Sequence, residues 1–287
     1  NKSLPRTGGI IFIPIILLVW FLAGIDSPLY LSFTIISLMA ISFLDDIHSI
    51  SAAVRFIFHI ISILIFVLYL DITLNFFNLG IIVLFLVWMS NLFNFMDGSD
   101  GMAAGMAVIG FFSYAIASYM VGDFSFALEN GIIMMCSLGF LFFNFSPAKI
   151  FMGDVGSISL GFLAGAMGII GWQKEIWALW FPLLIFSPFI IDATTTLLKR
   201  ILKREKFWQA HREHYYQRLV LLGWSHKKTA LVFYIVMICL ALISFYINNY
   251  NNKFILVIIL FFYCLPMIYI DRIWKEYLLN NRSSDNK

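Results

Sequence analysis

Asp45 and Asp46 stand side by side in "LDDIHS". Asn94, Asp97 and Asp100 recur at spacing three in "NLFNFMDGSDG", and Asp154 stands between two glycines in "FMGDVGS". Carboxylate and amide oxygens, with no thiolate set beside them, favour a hard cation, Mg²⁺ or Mn²⁺. His211 and His214, three residues apart, share a segment with Arg218, and such groups hold phosphate. Magnesium usually binds through one or two carboxylates plus substrate phosphates. The set therefore points to metal-assisted phosphate or diphosphate chemistry. No P-loop accompanies it, which leaves ATP-driven transport unsupported.

Each cluster also has a plainer use. A polar turn between helices accounts for one Asp-Gly pair. It does not account for two such pairs with two asparagines at regular spacing. If the helix runs on for one turn, Asn94, Asp97 and Asp100 line one face. Gly98, Gly101 and Gly105 then let a ligand or another backbone approach closely. Asp45 and Asp46 end an apolar helix, where they oppose its dipole unless a cation or proton offsets them. Pro147 ends a helix, and Ser157 is placed to cap the next one. Gly161 and Gly165 read as a helix-packing pair. His48, His59 and His226 read as structural. Asp192 lies inside a span, where an ionisable group is functional by default, but the sequence assigns it no role.

The elements that must position these residues are membrane helices. Of 287 residues, 61% are hydrophobic and 12% charged, with a mean hydropathy of +0.90. Soluble domains carry about 25% charged residues. The apolar runs are continuous rather than alternating, which excludes a β-barrel, and each is long enough to cross a bilayer. The expectation is an all-α, polytopic transmembrane bundle forming a single domain over 1–287. Ten spans are predicted, near 10–25, 28–44, 55–70, 76–94, 102–121, 131–146, 157–172, 176–197, 229–247 and 253–270. Cys136, Cys239 and Cys264 lie far apart in apolar runs and show no metal-type spacing.

Span parity puts 17 of the 19 Lys and Arg residues on one side. By the positive-inside rule that side is cytoplasmic. The net charge of +3 reflects this topology and anionic headgroups, not nucleic-acid binding. The same parity places loops 45–54, 94–101, 146–156 and 198–228 together on the cytoplasmic face, where they are expected to form one active site. A site there suits a soluble phosphorylated donor meeting a lipid-borne acceptor. A secondary transporter or flippase for a lipid-linked sugar is the rival. Transporters place polar residues at mid-span and carry internal repeats, whereas these clusters sit at span ends.

"PRTGG", "LDDIHS", "NLFNFMDGSDGMAAG" and "FFNFSPAKIFMGDVGSISLG" resemble, in order, the motifs of the polyprenyl-phosphate N-acetylhexosamine-1-phosphate transferases, glycosyltransferase family 4. The resemblance covers nearly the whole chain. It implies transfer of N-acetylhexosamine 1-phosphate from a UDP-sugar to undecaprenyl phosphate at the bacterial cytoplasmic membrane, with release of UMP. It also implies Mg²⁺ dependence and membrane lipids as surroundings; a homodimer is left open as the assembly. By motif, Asp154 is the expected metal ligand, with Asn94 and Asp97 beside it. Asp45 and Asp46 sit near the lipid phosphate and metal, Asp45 as the base. Asn94, Asp97, Asp100, Phe151, Lys2, His211, His214 and Arg218 serve the nucleotide and its phosphates, Phe151 by stacking on uracil. The family usually has one more span before "PRTGG", which implies eleven in the full-length protein. Tyr216 and Gln217 stand where many relatives carry two histidines. That pattern resembles the branch that starts O-antigen-type polysaccharides rather than the peptidoglycan translocase.

Overall fold

The computed structural model describes residues 4–25, 28–48, 50–70, 75–206, 211–250 and 254–284. Lys2 lies outside them. The described residues form twelve helices: α1 (Gly8–Leu22), α2 (Leu29–His48), α3 (Ala52–Tyr69), α4 (Phe76–Met96), α5 (Met102–Met120), α6 (Phe124–Asn144), α7 (Gly153–Gln173), α8 (Trp180–Ile185), α9 (Ser187–Leu202), α10 (Tyr215–Leu221), α11 (His226–Tyr250) and α12 (Phe254–Ser284). Helices are the expected outcome for runs this apolar, because a bilayer offers no partner for an unpaired backbone group.

Seven of them, α2 to α7 and α11, are long and apolar enough to cross a membrane. The protein is a multi-pass, all-helical membrane protein. The remaining predicted spans take other forms. Helix α1 has 15 residues. The span near 176–197 is two helices, α8 and α9, broken at Phe186. Helix α12 has 31 residues with Pro266 inside it.

Polar residues at the helix starts set several boundaries. Ser51 accepts from the Val54 N–H, Asn75 from Asn78 and Asp123 from Phe126, each satisfying a donor of the first helical turn. Asp123 starts α6 well before the expected boundary near 131. Glu129 and Asn130, expected in or beside a loop, are buried within α6. Asn130 Nδ2 donates to the Phe126 carbonyl one turn earlier at 2.8 Å, and Trp20 Nε1 of α1 donates to the backbone carbonyl of Glu129 at 3.2 Å.

Helix α7 is the hub. It packs against α1, α2, α4 and α5, and 18 of its 21 residues are buried. Its glycines make this close approach workable. A Cβ on Gly161 would lie 2.6 Å from Ser90 Cα, and one on Gly165 would lie 2.7 Å from Leu86 Cδ2. The small-residue pair read from the sequence is thus the α4 contact. Gly156 meets α1 in the same way, since a Cβ on it would lie only 2.8 Å from Gly9 Cα.

Candidate active site

Four elements meet at one end of the bundle, three of them with carboxylates and the fourth, α3, with Arg55. Helices α2 and α4 end there, while α3 and α7 begin there. Asp154 lies in the first turn of α7, where the helix dipole favours a negative charge. Asn94, in the last turn of α4, donates from Nδ2 to Asp154 Oδ1 at 2.8 Å and to Ser157 Oγ at 3.0 Å. Arg55, in the first turn of α3, donates to Asp154 Oδ2 at 3.0 Å and, through the same nitrogen, to Asp45 Oδ2. One guanidinium thus joins carboxylates from the end of α2 and the start of α7. Asp46 is exposed and makes no hydrogen bond or ion pair among the described residues.

Arg55 is the member of this cluster that sequence reasoning missed. The sequence presents it only as a topogenic charge, since nothing in "SAAVRF" marks it as the partner of Asp45 and Asp154. Ser157 also differs from expectation. Helix α7 already starts at Gly153, so Ser157 lies inside it and donates to the Gly153 carbonyl at 2.9 Å. It supports Asn94 rather than capping the helix.

The segment 94–101 does not continue as a helix. Helix α4 ends at Met96, Asp97 is its C-cap, and Gly101 takes a left-handed φ of 74° to start α5. Asn94, Asp97 and Asp100 therefore do not share one face. Asp97 Oδ2 accepts from the Gly153 N–H at 3.1 Å, while its Oδ1 is buried without a partner among the described residues. Burial pushes Asp97 well above the usual carboxylate range. The Gly153 and Met152 N–H groups pull against that, and the Asp154 charge adds to it. Asp100 points elsewhere and accepts from the Ala148 N–H at 3.1 Å. Asn144 accepts from the Gly101 N–H and donates to the Ile150 carbonyl. These contacts make Asp100 and Asn144 the anchors of the 145–152 loop.

That loop is held from the other side by "PRTGG". The Phe151 N–H donates to the Pro5 carbonyl at 2.9 Å, Gly8 N–H to the Phe151 carbonyl at 3.0 Å, and Gly9 N–H to the Met152 carbonyl at 2.9 Å. Gly153 has a φ of 67°, and a Cβ there would run into the Arg6 carbonyl. Two motifs far apart in the chain are thus one backbone unit, which sets Asp154 in place. Phe151 is partly exposed at this edge.

The α9–α10 region approaches the end of α4. His214 is 2% exposed; its ring lies 5.4 Å from that of Phe95 and 4.8 Å from that of His211. Burial, then the neighbouring His214 and Arg200, lower His211 to about 4, so it is uncharged at neutral pH. Arg218 pairs with an acidic residue of α12. Its Nη1 donates to Asp271 Oδ1 at 2.8 Å, Lys199 joins the same carboxylate, and its guanidinium lies 5.0 Å from the Tyr215 ring centre. This ion cluster ties α10 to α12. His226, read as structural, pairs with Ser99 at 2.7 Å.

Among the described residues, no three His, Cys, Asp or Glu side chains form a ready-made metal cage. The geometry is instead an open acidic site held by a cation of the protein's own.

A Glycosyl transferase family 4 profile matches residues 28–172, the stretch from the start of α2 to the end of α7 that carries Asp45, Arg55, Asn94, Asp97 and Asp154. The chain belongs to glycosyl transferase family 4. Among its relatives is a Bacillus subtilis (strain 168) protein described as a probable undecaprenyl-phosphate N-acetylglucosaminyl 1-phosphate transferase. It is 30% identical over 256 residues, which cover 82% of this chain and 71% of the relative. A phospho-N-acetylmuramoyl-pentapeptide-transferase of Staphylococcus epidermidis is 33% identical over 182 residues, covering 62% of this chain and 54% of its own length. The enzyme of the same description from Halalkalibacterium halodurans is 31% identical over 183 residues, again covering 62% and 54%. The family match stops short of His211, His214 and Arg218, so it bears on the acidic cluster and not on the α10 region.

Proposed function

We propose that this family 4 member transfers N-acetylhexosamine 1-phosphate from a UDP-sugar to undecaprenyl phosphate, releasing UMP. The carrying observation is the convergence of Arg55 and Asn94 on Asp154, with Asp45 on the same guanidinium. In the overall reaction an oxygen of the lipid phosphate forms a bond to the sugar-bearing phosphorus of the donor. The bond from that phosphorus to the UMP oxygen breaks, and UMP leaves with the electron pair. Asp45 takes the proton of the acceptor phosphate, and exposed Asp46 stands beside it at the lipid edge. Phe151, partly exposed beside the loop, offers a face for uracil.

Asp154, Asp97 and the Asn94 amide oxygen supply hard donors that suit Mg²⁺, or Mn²⁺ in its place. The buried, unpartnered Asp97 Oδ1 and the cation already seated on Asp154 both suit positive charge there. When bound, such an ion neutralises diphosphate charge and stabilises the leaving phosphate. An incomplete protein cage suits Mg²⁺, whose shell is finished by substrate phosphates and water.

The bias of Lys and Arg toward one side supports placing this end of the bundle on the cytoplasmic face of a bacterial inner membrane, where UDP-sugars are available. Tyr216 and Gln217 in the α10 region support a role in starting O-antigen-type surface polysaccharides. The test is Mg²⁺-dependent UMP release across a panel of UDP-GlcNAc, UDP-GalNAc, UDP-FucNAc and UDP-QuiNAc, with and without undecaprenyl phosphate. Asp154→Asn is expected to lower turnover by more than about 10²-fold with thermal stability retained. Near-normal turnover in that variant overturns the assignment. Movement of lipid-linked sugar across vesicles without UMP release establishes a transporter instead.

A further inference from the structure

Asp192, on α9, is 2% exposed, and the reaction outlined above gives it nothing to do. Its surroundings do. Oδ1 accepts from the Tyr215 N–H at 2.9 Å and Oδ2 from the Tyr216 N–H at 3.0 Å. The Thr196 hydroxyl donates to it at 3.3 Å, and His214 Nδ1 lies 3.3 Å from Oδ1. A carboxylate is a sound choice here, because two backbone donors face one acceptor-only group and charge-assisted bonds are about twice as strong as neutral ones. Asparagine has the same shape but turns a donor toward one of those N–H groups.

The segment held by Asp192 has two grips on the end of α4, both at one residue. The His214 ring stacks on the Phe95 ring at 5.4 Å. The Tyr216 hydroxyl donates to the Phe95 carbonyl at 2.7 Å. Phe95 follows Asn94, the residue bonded to Asp154, and precedes the α4 cap at Asp97. Gly98 completes the fit, since a Cβ there would lie 2.7 Å from the Tyr216 hydroxyl. The order of contacts is therefore Asp192, then His214 and Tyr216, then Phe95, then Asn94 and Asp97.

We propose that Asp192 is a positioning residue: it pins the start of α10 against the last turn of α4, and so sets where Asn94 and Asp97 stand relative to Asp154. Small displacements matter at such a site, because a misplacement of about 1 Å can cost about 10²-fold in rate. The consequence for turnover rests on the transferase reading; the consequence for α4 does not.

The experiment compares Asp192→Asn, Tyr216→Phe and the pair His214→Ala/Tyr216→Phe in full-length protein. Asp192→Asn is expected to lower kcat by about 10- to 100-fold, with KM for UDP-sugar and for undecaprenyl phosphate changed less than about threefold. In the His214→Ala/Tyr216→Phe background, where both grips are gone, the same change is expected to cost less than about threefold more, the non-additivity of one connected device. An equal cost in both backgrounds overturns the proposal, as does a rise in KM at unchanged kcat. Tyr216→Phe is the milder variant should Asp192→Asn fail to fold, and wild-type kcat in the pair His214→Ala/Tyr216→Phe, where both grips are gone, also overturns the proposal. Hydrogen exchange at the amides of 92–98 is read in parallel and is expected to quicken by about tenfold or more in Asp192→Asn. Unchanged exchange refutes the positioning role. Faster exchange in a protein that never releases UMP refutes the transferase reading and leaves the positioning role standing.

Discussion

Replacing Arg55 with alanine removes the cation shared by Asp45 and Asp154. Two carboxylate oxygens on one nitrogen stand about 5 Å apart, the span of two hydrogen bonds to a common donor. Unit charges at that distance repel by about 3 kcal/mol at an effective dielectric constant of 20, and by under 1 kcal/mol in bulk water. The Arg55 and Asp154 side chains are 30% and 32% exposed, and Asp45 is 14% exposed, so solvent screens much of the interaction. A cost of about 1–2 kcal/mol follows, below the 3–5 kcal/mol of a buried pair broken on one side. At about 2–4 °C per kcal/mol for a chain somewhat smaller than this one, Tm is expected to fall by about 2–8 °C in the presence of chelator. If these carboxylates accept a divalent ion, MgCl₂ restores the difference, and it raises the Tm of Arg55→Ala more than that of wild type. The assay is a thermal melt in detergent with sodium chloride at matched ionic strength as the control, which removes general screening from the comparison. An unchanged Tm refutes the electrostatic reasoning. A lowered Tm that magnesium restores no better than sodium refutes the metal assignment.

Asp97→Asn is expected to stabilise the fold while impairing turnover. Burial raises the folded pKa of Asp97 above its unfolded value, so the ionised carboxylate destabilises the protein above the unfolded pKa near 4, and that penalty fades as pH falls through the folded value. The melt of Asp97→Asn at neutral pH should lie above wild type, with the gap closing on acidification; a variant less stable than wild type would contradict the burial argument. Gly153→Ala should lose activity without global unfolding. A left-handed φ costs a non-glycine residue about 1–2 kcal/mol, and the new Cβ meets the Arg6 carbonyl, so limited proteolysis should show "PRTGG" released from the Phe151–Gly153 backbone.

The acidic core was legible in the sequence because a carboxylate in so apolar a chain needs a reason. Asp45, Asn94, Asp97 and Asp154 all meet at one end, as span parity implied. What parity cannot supply is direction. Asp100 has the same spacing and the same glycine neighbour as Asp97, yet the chain turns at Gly98–Gly101 and aims it at Ala148. Arg218 pairs with Asp271, 53 residues further on, a partner that no local motif signals. Arg55 was invisible for the same reason: its meaning depends on Asp154, 99 residues away. Helix boundaries differ from the predicted ones where polar residues lie inside a helix, as in α6. Glu129 and Asn130 sit buried inside α6, which starts at the Asp123 cap, and hydropathy alone does not see that cap.

The central place of α7 also bears on how the protein is made. Helices α1 to α6 leave the ribosome first, yet the surfaces of α1, α2 and α4 that end up against α7 have no native partner until it arrives. The Pro5–Gly9 backbone must likewise wait for Phe151 and Met152. A nascent chain stopped before residue 153 carries Asp45, Arg55, Asn94 and Asp97 but not the residue on which they converge. Assembly of the site is thus a late event of membrane insertion, and the early helices must remain loosely associated enough to admit a seventh between them.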